Sequence, residues 1–346
     1  MTRLGVVADD LTGALDAAAP FAARGIATVV TLGPEGLAAA LASGADVVGV
    51  SSNSREASPD DAGRAVAQCL ENLPAGLPIF KKVDSRLKGN ISAELDAIPF
   101  NRALVVPAIP TFDRWVRDGR LGGFGVDQPI DIAARLGHHA GKASIPDVAM
   151  QADIEQALET GGHDLLVGAR GLAEALAVQW APEAVALVPP PLVGPVYCVI
   201  GSTDGITGEQ IARLRAACPG LVHIAAPDGQ MPAGASLGAK LTVLQATAGE
   251  TQADGATVAQ RLGEGLQRLQ PPRGAVLVIS GGATAQVVLG ALGITVLRLD
   301  GEALPGLPLA HAGGFTIITK SGGFGDADTL LTLLGHLGGP GLESDG

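Results

Sequence analysis

Short runs of Val, Ile, Leu and Ala alternate along the chain with segments whose apolar residues return every three or four positions. A near-continuous apolar run suits a strand covered on both faces, and the three-to-four spacing suits a helix with one covered side. The pattern predicts strands over 4–8, 27–32, 47–50, 78–83, 103–106 and 165–168. Helices are expected over 11–24, 34–42, 59–72, 91–98, 131–138, 153–160 and 172–179, with an irregular stretch after residue 106. A second series predicts strands over 196–200, 240–245, 275–279, 295–299 and 315–319, and helices over 207–218, 253–269, 284–292 and 326–337. Such alternation specifies an α/β fold of two domains, each a mostly parallel sheet flanked by helices. Between the two series, 188–195 reads VPPPLVGP. Proline stiffens a chain and continues neither a helix nor an inner strand, so this segment is the expected linker. The domains are then 1–187 and 196–346, with no internal repeat and with disorder expected only in the tail, 338–346.

Composition narrows the class. Of 346 residues, 47% are hydrophobic, 17% charged and 3% aromatic, a globular balance in which Ala, Val, Leu and Ile fill the cores. The formal charge of −12 disfavours nucleic acid and anionic membrane as partners. The segment 274–297 carries no charge for long enough to mimic a membrane helix, but Gly281, Gly282, Gly290 and Gly293 divide it into strand, turn, helix and strand. The first ten residues, MTRLGVVADD, do not have the form of a signal peptide. Cys69, Cys198 and Cys218 stand far apart with no CxxC pair, as expected of reduced thiols in a cytoplasmic protein. Apolar surface left over on such a chain allows a homodimer.

Candidate chemistry gathers where strands turn into helices. In Val6-Val7-Ala8-Asp9-Asp10-Leu11-Thr12-Gly13-Ala14, a buried strand ends in two carboxylates and a helix starts at once. Ligands of open α/β sheets collect at the carboxyl ends of strands. Either Asp alone could be a helix cap, but two neighbours cannot both cap one helix. The second is free to meet a cation, a proton or a substrate hydroxyl. Lys81, Lys82, Arg86 and Lys88 place four of the 23 basic residues within eight positions, around Asp84-Ser85, again at a strand's end. This is either a solvated charge run or a seat for a carboxylate or phosphate. Arg55 follows another strand and adds a cation to the same rim.

Gly201-Ser202-Thr203-Asp204, Ser280-Gly281-Gly282-Ala283-Thr284 and Ser321-Gly322-Gly323-Phe324-Gly325-Asp326 are three further strand-to-helix turns. Each alone is an ordinary turn or cap. Repeated in one domain, they point to backbone amides approaching a polyphosphate. No GxxxxGK[ST], GxGxxG opening a βαβ unit, HExxH or GxSxG is present. His138-His139 reads as surface or capping rather than metal-ligating. A nicotinamide-dependent α/β dehydrogenase or isomerase, and a non-catalytic binding protein, remain alternatives.

The run Ala8 to Ala14, then Lys82-Val83-Asp84-Ser85 and Gly89-Asn90, resembles the four-carbon acid sugar kinase family. Pro107-Ala108-Ile109-Pro110, Asp118-Gly119-Arg120-Leu121, Gly201-Ser202 with Thr207 and Gln210, Gly281-Gly282 and the Ser321 to Gly325 turn fit the same order. The resemblance implies an N-terminal sugar-acid-binding domain, a C-terminal nucleotide-binding domain and an active site in the interdomain cleft. It further implies phosphorylation of a threonate, erythronate or 3-oxo-tetronate by ATP with Mg²⁺. Asp10, Arg55, Lys82, Val83, Asp84 and Ser85 would then contact the acid. Ser202, Gly281, Gly282, Ala283, Thr284, Gly322 and Gly323 would contact ATP. Asp9, Asp10 and Asp84 are the candidate catalytic carboxylates, and no metal-ligating residue is assigned.

Overall fold

The computed structural model describes residues 1–184, 191, 194–238 and 240–336. The chain divides into two compact units, Met1–Leu187 and Val188–Gly346. Most of the proline segment 188–195, and the tail 338–346, lie outside the described residues.

In the first unit, strands β1 (Leu4–Ala8), β2 (Thr28–Thr31), β3 (Val47–Ser51), β4 (Ile79–Lys82) and β5 (Ala103–Val106) alternate with helices. These are α1 (Leu11–Ala23), α2 (Leu37–Ala42), α3 (Pro59–Glu71) and α4 (Ile91–Asp96). Strands β6 (Arg114–Arg117), β7 (Arg120–Gly123) and β8 (Val126–Asp131) follow. The unit finishes with α5 (Ile132–Leu136), β9 (Ala143–Ser144), α6 (Gln151–Glu159), β10 (Leu165–Gly168) and α7 (Arg170–Trp180). Seven strands pair in parallel in the order β2-β3-β1-β4-β10-β5-β9. β1 and β3 are buried at every position, as the two-sided cover of a parallel sheet demands. The chain leaves β1 for β2 on one side of this order and leaves β4 for β5 on the other. Where neighbouring strands send their connections apart, a crevice opens at their carboxyl ends.

The segment after β5, expected to be irregular, instead forms a three-stranded antiparallel sheet, β6-β7-β8. Its strands carry Arg114, Arg117, Arg120, Asp127 and Asp131, so no apolar run announces them. Its first hairpin turns on Asp118-Gly119, both at positive φ (49° and 68°), the pairing a two-residue hairpin turn favours. The helix expected over 131–138 is cut short at Gly137, where φ is 60°, and a 3-10 turn, Gly137–Lys142, takes over.

The second unit runs β11 (Val196–Ile200), α8 (Gly205–Ala217), β12 (Val222–Pro227), β13 (Leu241–Thr247), α9 (Gly255–Leu269), β14 (Val276–Ser280) and α10 (Gly282–Ala291). It continues through β15 (Val296–Leu304), β16 (Leu307–Ala312), β17 (Phe315–Lys320) and α11 (Thr329–His336). The order is β12-β13-β11-β14-β17-β16-β15, parallel as far as β17, with β16 antiparallel to both neighbours. β12 and β16 were not expected. β12 exposes alternate positions, so its apolar run is broken, and β16 is a short return strand after a turn at Gly306. Val196, Cys198 and Ile200 of β11 pack with Val276 and Val278 of β14, Ile318 of β17, and Leu330 and Leu333 of α11. The chain leaves β11 for β12 and β14 for β15 in opposite directions, which makes a second crevice of the same kind. No helix among the described residues is long and apolar enough to cross a membrane.

Candidate active site

Asp10 is the N-cap of α1: its Oδ1 accepts from the Gly13 amide at 2.7 Å, and its Oδ2 from the Thr12 hydroxyl at 2.9 Å. With one cap supplied, Asp9 turns elsewhere. It is 2% exposed, and both its oxygens accept from Arg55, Nε to Oδ2 at 2.9 Å and Nη2 to Oδ1 at 2.8 Å. Arg55 Nη1 donates to Asp10 Oδ2 at 2.7 Å and lies 3.9 Å from Asp84 Oδ2. Burial alone would raise the Asp9 pKa, but the hydrogen bonds and charge of Arg55, with Lys81 and Lys82 nearby, outweigh it and hold the carboxyl below its usual range. In turn, burial opposes the Arg55 charge and the three carboxylates overcome that penalty, so the guanidinium stays protonated. The first-unit cation expected on the rim is therefore already matched by acids.

Asp84 follows β4 and shapes the turn after it. Its Oδ1 accepts from the amides of Arg86 at 2.8 Å and Lys88 at 3.3 Å. Its Oδ2 has no hydrogen-bond donor among the described residues, and its nearest cation is the Arg55 Nη1 at 3.9 Å. Burial would raise this carboxyl, yet Arg55, Lys82 and the two amides lower it.

The four basic residues around Asp84 separate. Successive side chains on a strand point to opposite faces, so Lys81 and Lys82 part company. Lys81, fully buried, pairs with Glu94 of α4 at 2.8 Å and donates to its neighbour's carbonyl at 3.0 Å. Glu94 also accepts from Ser54 Oγ at 2.5 Å, and Asn90 holds the carbonyls of Ser54 and Ala57. Lys82 turns toward α1, where a Cβ placed on Gly13 would lie 3.2 Å from its Nζ. It is 4% exposed, and its ammonium has neither a hydrogen bond nor an ion pair among the described residues. Its charge acts on Asp9 and Asp84 from a distance, and its three N–H donors have no acceptor among the described residues. Arg86 and Lys88 are exposed. Val83 is buried and contributes only its amide, to Gly168. Ser85 accepts from Arg114 Nη1 at 2.5 Å, which ties the β6–β8 sheet to the end of β4.

In the second unit, Ser202 follows β11, residues 281–284 follow β14, and Gly322 and Gly323 follow β17, three strands that are neighbours. The loops touch. A Cβ on Gly322 would stand 2.5 Å from Ser202 Oγ, and one on Gly201 would strike the Thr284 hydroxyl. Gly281 precedes α10 at φ 109°, a conformation that other residues rarely adopt, and no side chain caps the helix. The amides of Gly282 and Ala283 in its first turn are therefore left for an outside acceptor. Thr207 and Gln210 of α8 hold the third loop by its carbonyls: Thr207 Oγ1 donates to Gly322 O at 2.5 Å, and Gln210 Nε2 to Phe324 O at 3.1 Å and Asp326 O at 2.6 Å. What these loops present, among the described residues, is backbone amides and the Ser202 hydroxyl at a helix start.

Glu94, Ser54, Arg114 and Lys320 are the participants sequence reasoning missed. Only Lys320 left a trace, as a charge closing the otherwise uncharged strand FTIITK. His138 and His139 both place Nε2 2.9 Å from Asp96 Oδ1. Together they are the one group of metal-type ligands among the described residues, their ligand atoms within 4.8 Å of one another, and they clasp α4 to the 3-10 turn.

A family model described as a sugar-binding N-terminal domain matches residues 4–163, and one described as a nucleotide-binding C-terminal domain matches residues 231–330. The D-threonate kinase of Bordetella bronchiseptica is 30% identical, over 95% of this chain and 96% of that protein. The D-threonate kinase of Cupriavidus necator is 30% identical over 94% and 95%. The 3-oxo-tetronate kinase of Methylobacterium radiotolerans is 29% identical over 94% and 97%. A solved structure from Salmonella typhimurium LT2 shares the fold, with a TM-score of 0.72 at 21% identity over 96% of this chain and 98% of that one. The class is thus an α/β phosphotransferase with an alcohol group as acceptor. The chain belongs to the four-carbon acid sugar kinase family.

Proposed function

We propose that the protein transfers the γ-phosphoryl group of ATP to a hydroxyl of a four-carbon sugar acid, with D-threonate, named in two of the relatives above, as the first substrate to test. The reading assigns residues 1–187 to the acid and 196–346 to the nucleotide. The observation that carries it is Lys82: a buried ammonium with no hydrogen bond or ion pair among the described residues, at the end of β4, close enough to act on Asp84, whose Oδ2 has no hydrogen-bond donor there and only Arg55 Nη1 at 3.9 Å. A sugar acid offers both complements, a carboxylate for Lys82 and a hydroxyl for Asp84.

Roles then divide by geometry. Lys82 neutralises and orients the substrate carboxylate. Asp84 Oδ2 accepts or aligns the proton of the hydroxyl under attack. Asp9 fixes Arg55, and Asp10 fixes the start of α1 and the other edge of the same guanidinium. Arg55 holds the carboxylates apart and keeps Asp84 ionised. Arg114 steadies Ser85 next to Asp84. ATP, bound with Mg²⁺, supplies the phosphoryl group and part of the charge neutralisation. The amides of Gly282, Ala283, Gly322 and Gly323 and the hydroxyl of Ser202 hold its phosphates. Phosphoryl transfer depends mainly on alignment and charge stabilisation, which is what such groups provide. Three buried free cysteines suit a reducing cytoplasm.

A coupled ADP-release assay with Mg²⁺, across D-threonate, D-erythronate, 3-oxo-tetronate and longer aldonates, tests the reading. Turnover dependent on a four-carbon acid is expected. A protein that binds ATP but releases no ADP with any of these acids would overturn it.

A further inference from the structure

Lys320 closes β17 and is 1% exposed. Its ammonium carries three protons, and three main-chain carbonyls stand within reach of it: Gly322 at 2.8 Å, Ser321 at 3.1 Å and Phe324 at 3.2 Å. The Thr207 hydroxyl, itself donating to the Gly322 carbonyl, lies at 3.4 Å. Lys320 makes no ion pair among the described residues. Asp204, the N-cap of α8, is the charged group that acts on it from a distance.

A position needed only to fill this core would hold Leu or Met without the expense of burying a charge. What the ammonium adds is specific to the turn after it. All three carbonyls it gathers belong to residues 321–324, and Thr207 and Gln210 draw carbonyls of the same loop inward from α8. Each peptide plane that turns its oxygen in turns its N–H away. The amides of Gly322 and Gly323 donate to no group among the described residues.

We propose that Lys320 is a positioning residue for nucleotide binding: it clamps the carbonyls of Ser321, Gly322 and Phe324 so that the amides of Gly322 and Gly323 face the phosphates. The proposal rests on the reading of these loops as the ATP site. Lys320 itself does not touch the nucleotide. Its charge matters because a neutral amine has two N–H groups for three carbonyls, and sets a lone pair against the third. Burial lowers its pKa, with Asp204 opposing, to about 8. The clamp is therefore complete below that pH and loosens as pH rises through it.

The test compares full-length wild type, Lys320→Met and Lys320→Arg, measuring KM for ATP, KM for the sugar acid, kcat and thermal unfolding across pH. In wild type, KM for ATP should rise as pH passes about 8, while KM for the acid stays level. In Lys320→Met, KM for ATP should be about tenfold higher, the equivalent of one lost charge-assisted hydrogen bond, and flat across that range. Lys320→Arg, still cationic, should recover part of the loss. An unchanged KM and pH profile in Lys320→Met would overturn the assignment while leaving ATP use intact. If Lys320→Met does not fold, a flat wild-type KM for ATP across pH 8 would overturn it equally. Failure of the wild type to bind ATP at all is a different result, and removes the nucleotide site itself.

Discussion

The Arg55 guanidinium grips the Asp9 carboxylate at two points, 2.9 and 2.8 Å, and the same side chain reaches Asp10 at 2.7 Å. That grip uses both Asp9 oxygens and leaves Asp84 Oδ2 the least engaged acceptor of the three acids. The acids therefore differ in kind: one orders a cation, one caps a helix, and one keeps an oxygen without a hydrogen-bond donor among the described residues.

Replacing them one at a time should expose that difference. Asp9→Asn leaves Arg55 with half its partner and should cost about 2–3 kcal/mol of stability, less than a fully buried pair because Arg55 keeps some water contact. Asp84→Asn keeps an acceptor for the two turn amides and loses only the charge near Arg55 and Lys82, so it should cost less stability than Asp9→Asn, and it should lower kcat by about a hundredfold or more. Equal stability losses in both variants, with equal turnover, would erase the distinction.

Lys82→Met should separate function from stability. Lys82 makes no hydrogen bond or ion pair among the described residues and acts on Asp9 and Asp84 only through its charge, so the thermal midpoint should change little. KM for the sugar acid should climb by about tenfold or more, with KM for ATP unaffected. A marked fall in stability with no change in KM for the acid would make Lys82 a partner of Asp9 and Asp84 rather than of substrate.

Lys81 and Glu94 should behave oppositely. Either Lys81→Met or Glu94→Leu strands a buried charge and should cost about 3–5 kcal/mol, whereas the double variant should cost clearly less than their sum. Urea titrations of the four proteins give the coupling directly, and simple additivity would contradict the pair.

Acid should unfold the first unit through Asp9 and Asp84. Their folded pKa values lie below the ordinary 3.8, so the stability they contribute is complete above that value. It is lost as pH falls through 3.8 and on through the depressed folded values. Thermal midpoints of wild type should drop steeply in that window, and Asp9→Asn should show a shallower drop. Parallel curves would deny Asp9 this part.

Much of this was legible in the sequence. The buried parallel strands read from their Val-rich runs, and the strand-to-helix turns carrying Asp9, Asp84, Ser202, Gly281 and Gly322 read from their glycines and acids. The β6–β8 sheet did not, because its strands are half polar; the Asp118-Gly119 turn was the clue that remained. Nor could periodicity tell that Arg55 would be spent on Asp9, or that Lys81 would meet Glu94. Those pairings join residues 46 and 13 positions apart, and depend on which strands become neighbours. Sequence supplies the charges; strand order decides which cancel.

Lys81 and Lys82 sit on opposite sides of one strand, and this gives β4 a reading frame. A single-residue insertion ahead of them would carry Lys81 to the crevice face and bring Phe80 opposite Glu94, whereas a deletion would carry Lys82 to Glu94 and leave Val83 at the crevice. Two identical neighbours thus split the damage: either length change keeps a lysine at one of the two positions and loses it at the other, so an insertion should act on stability through Glu94 and a deletion on the crevice.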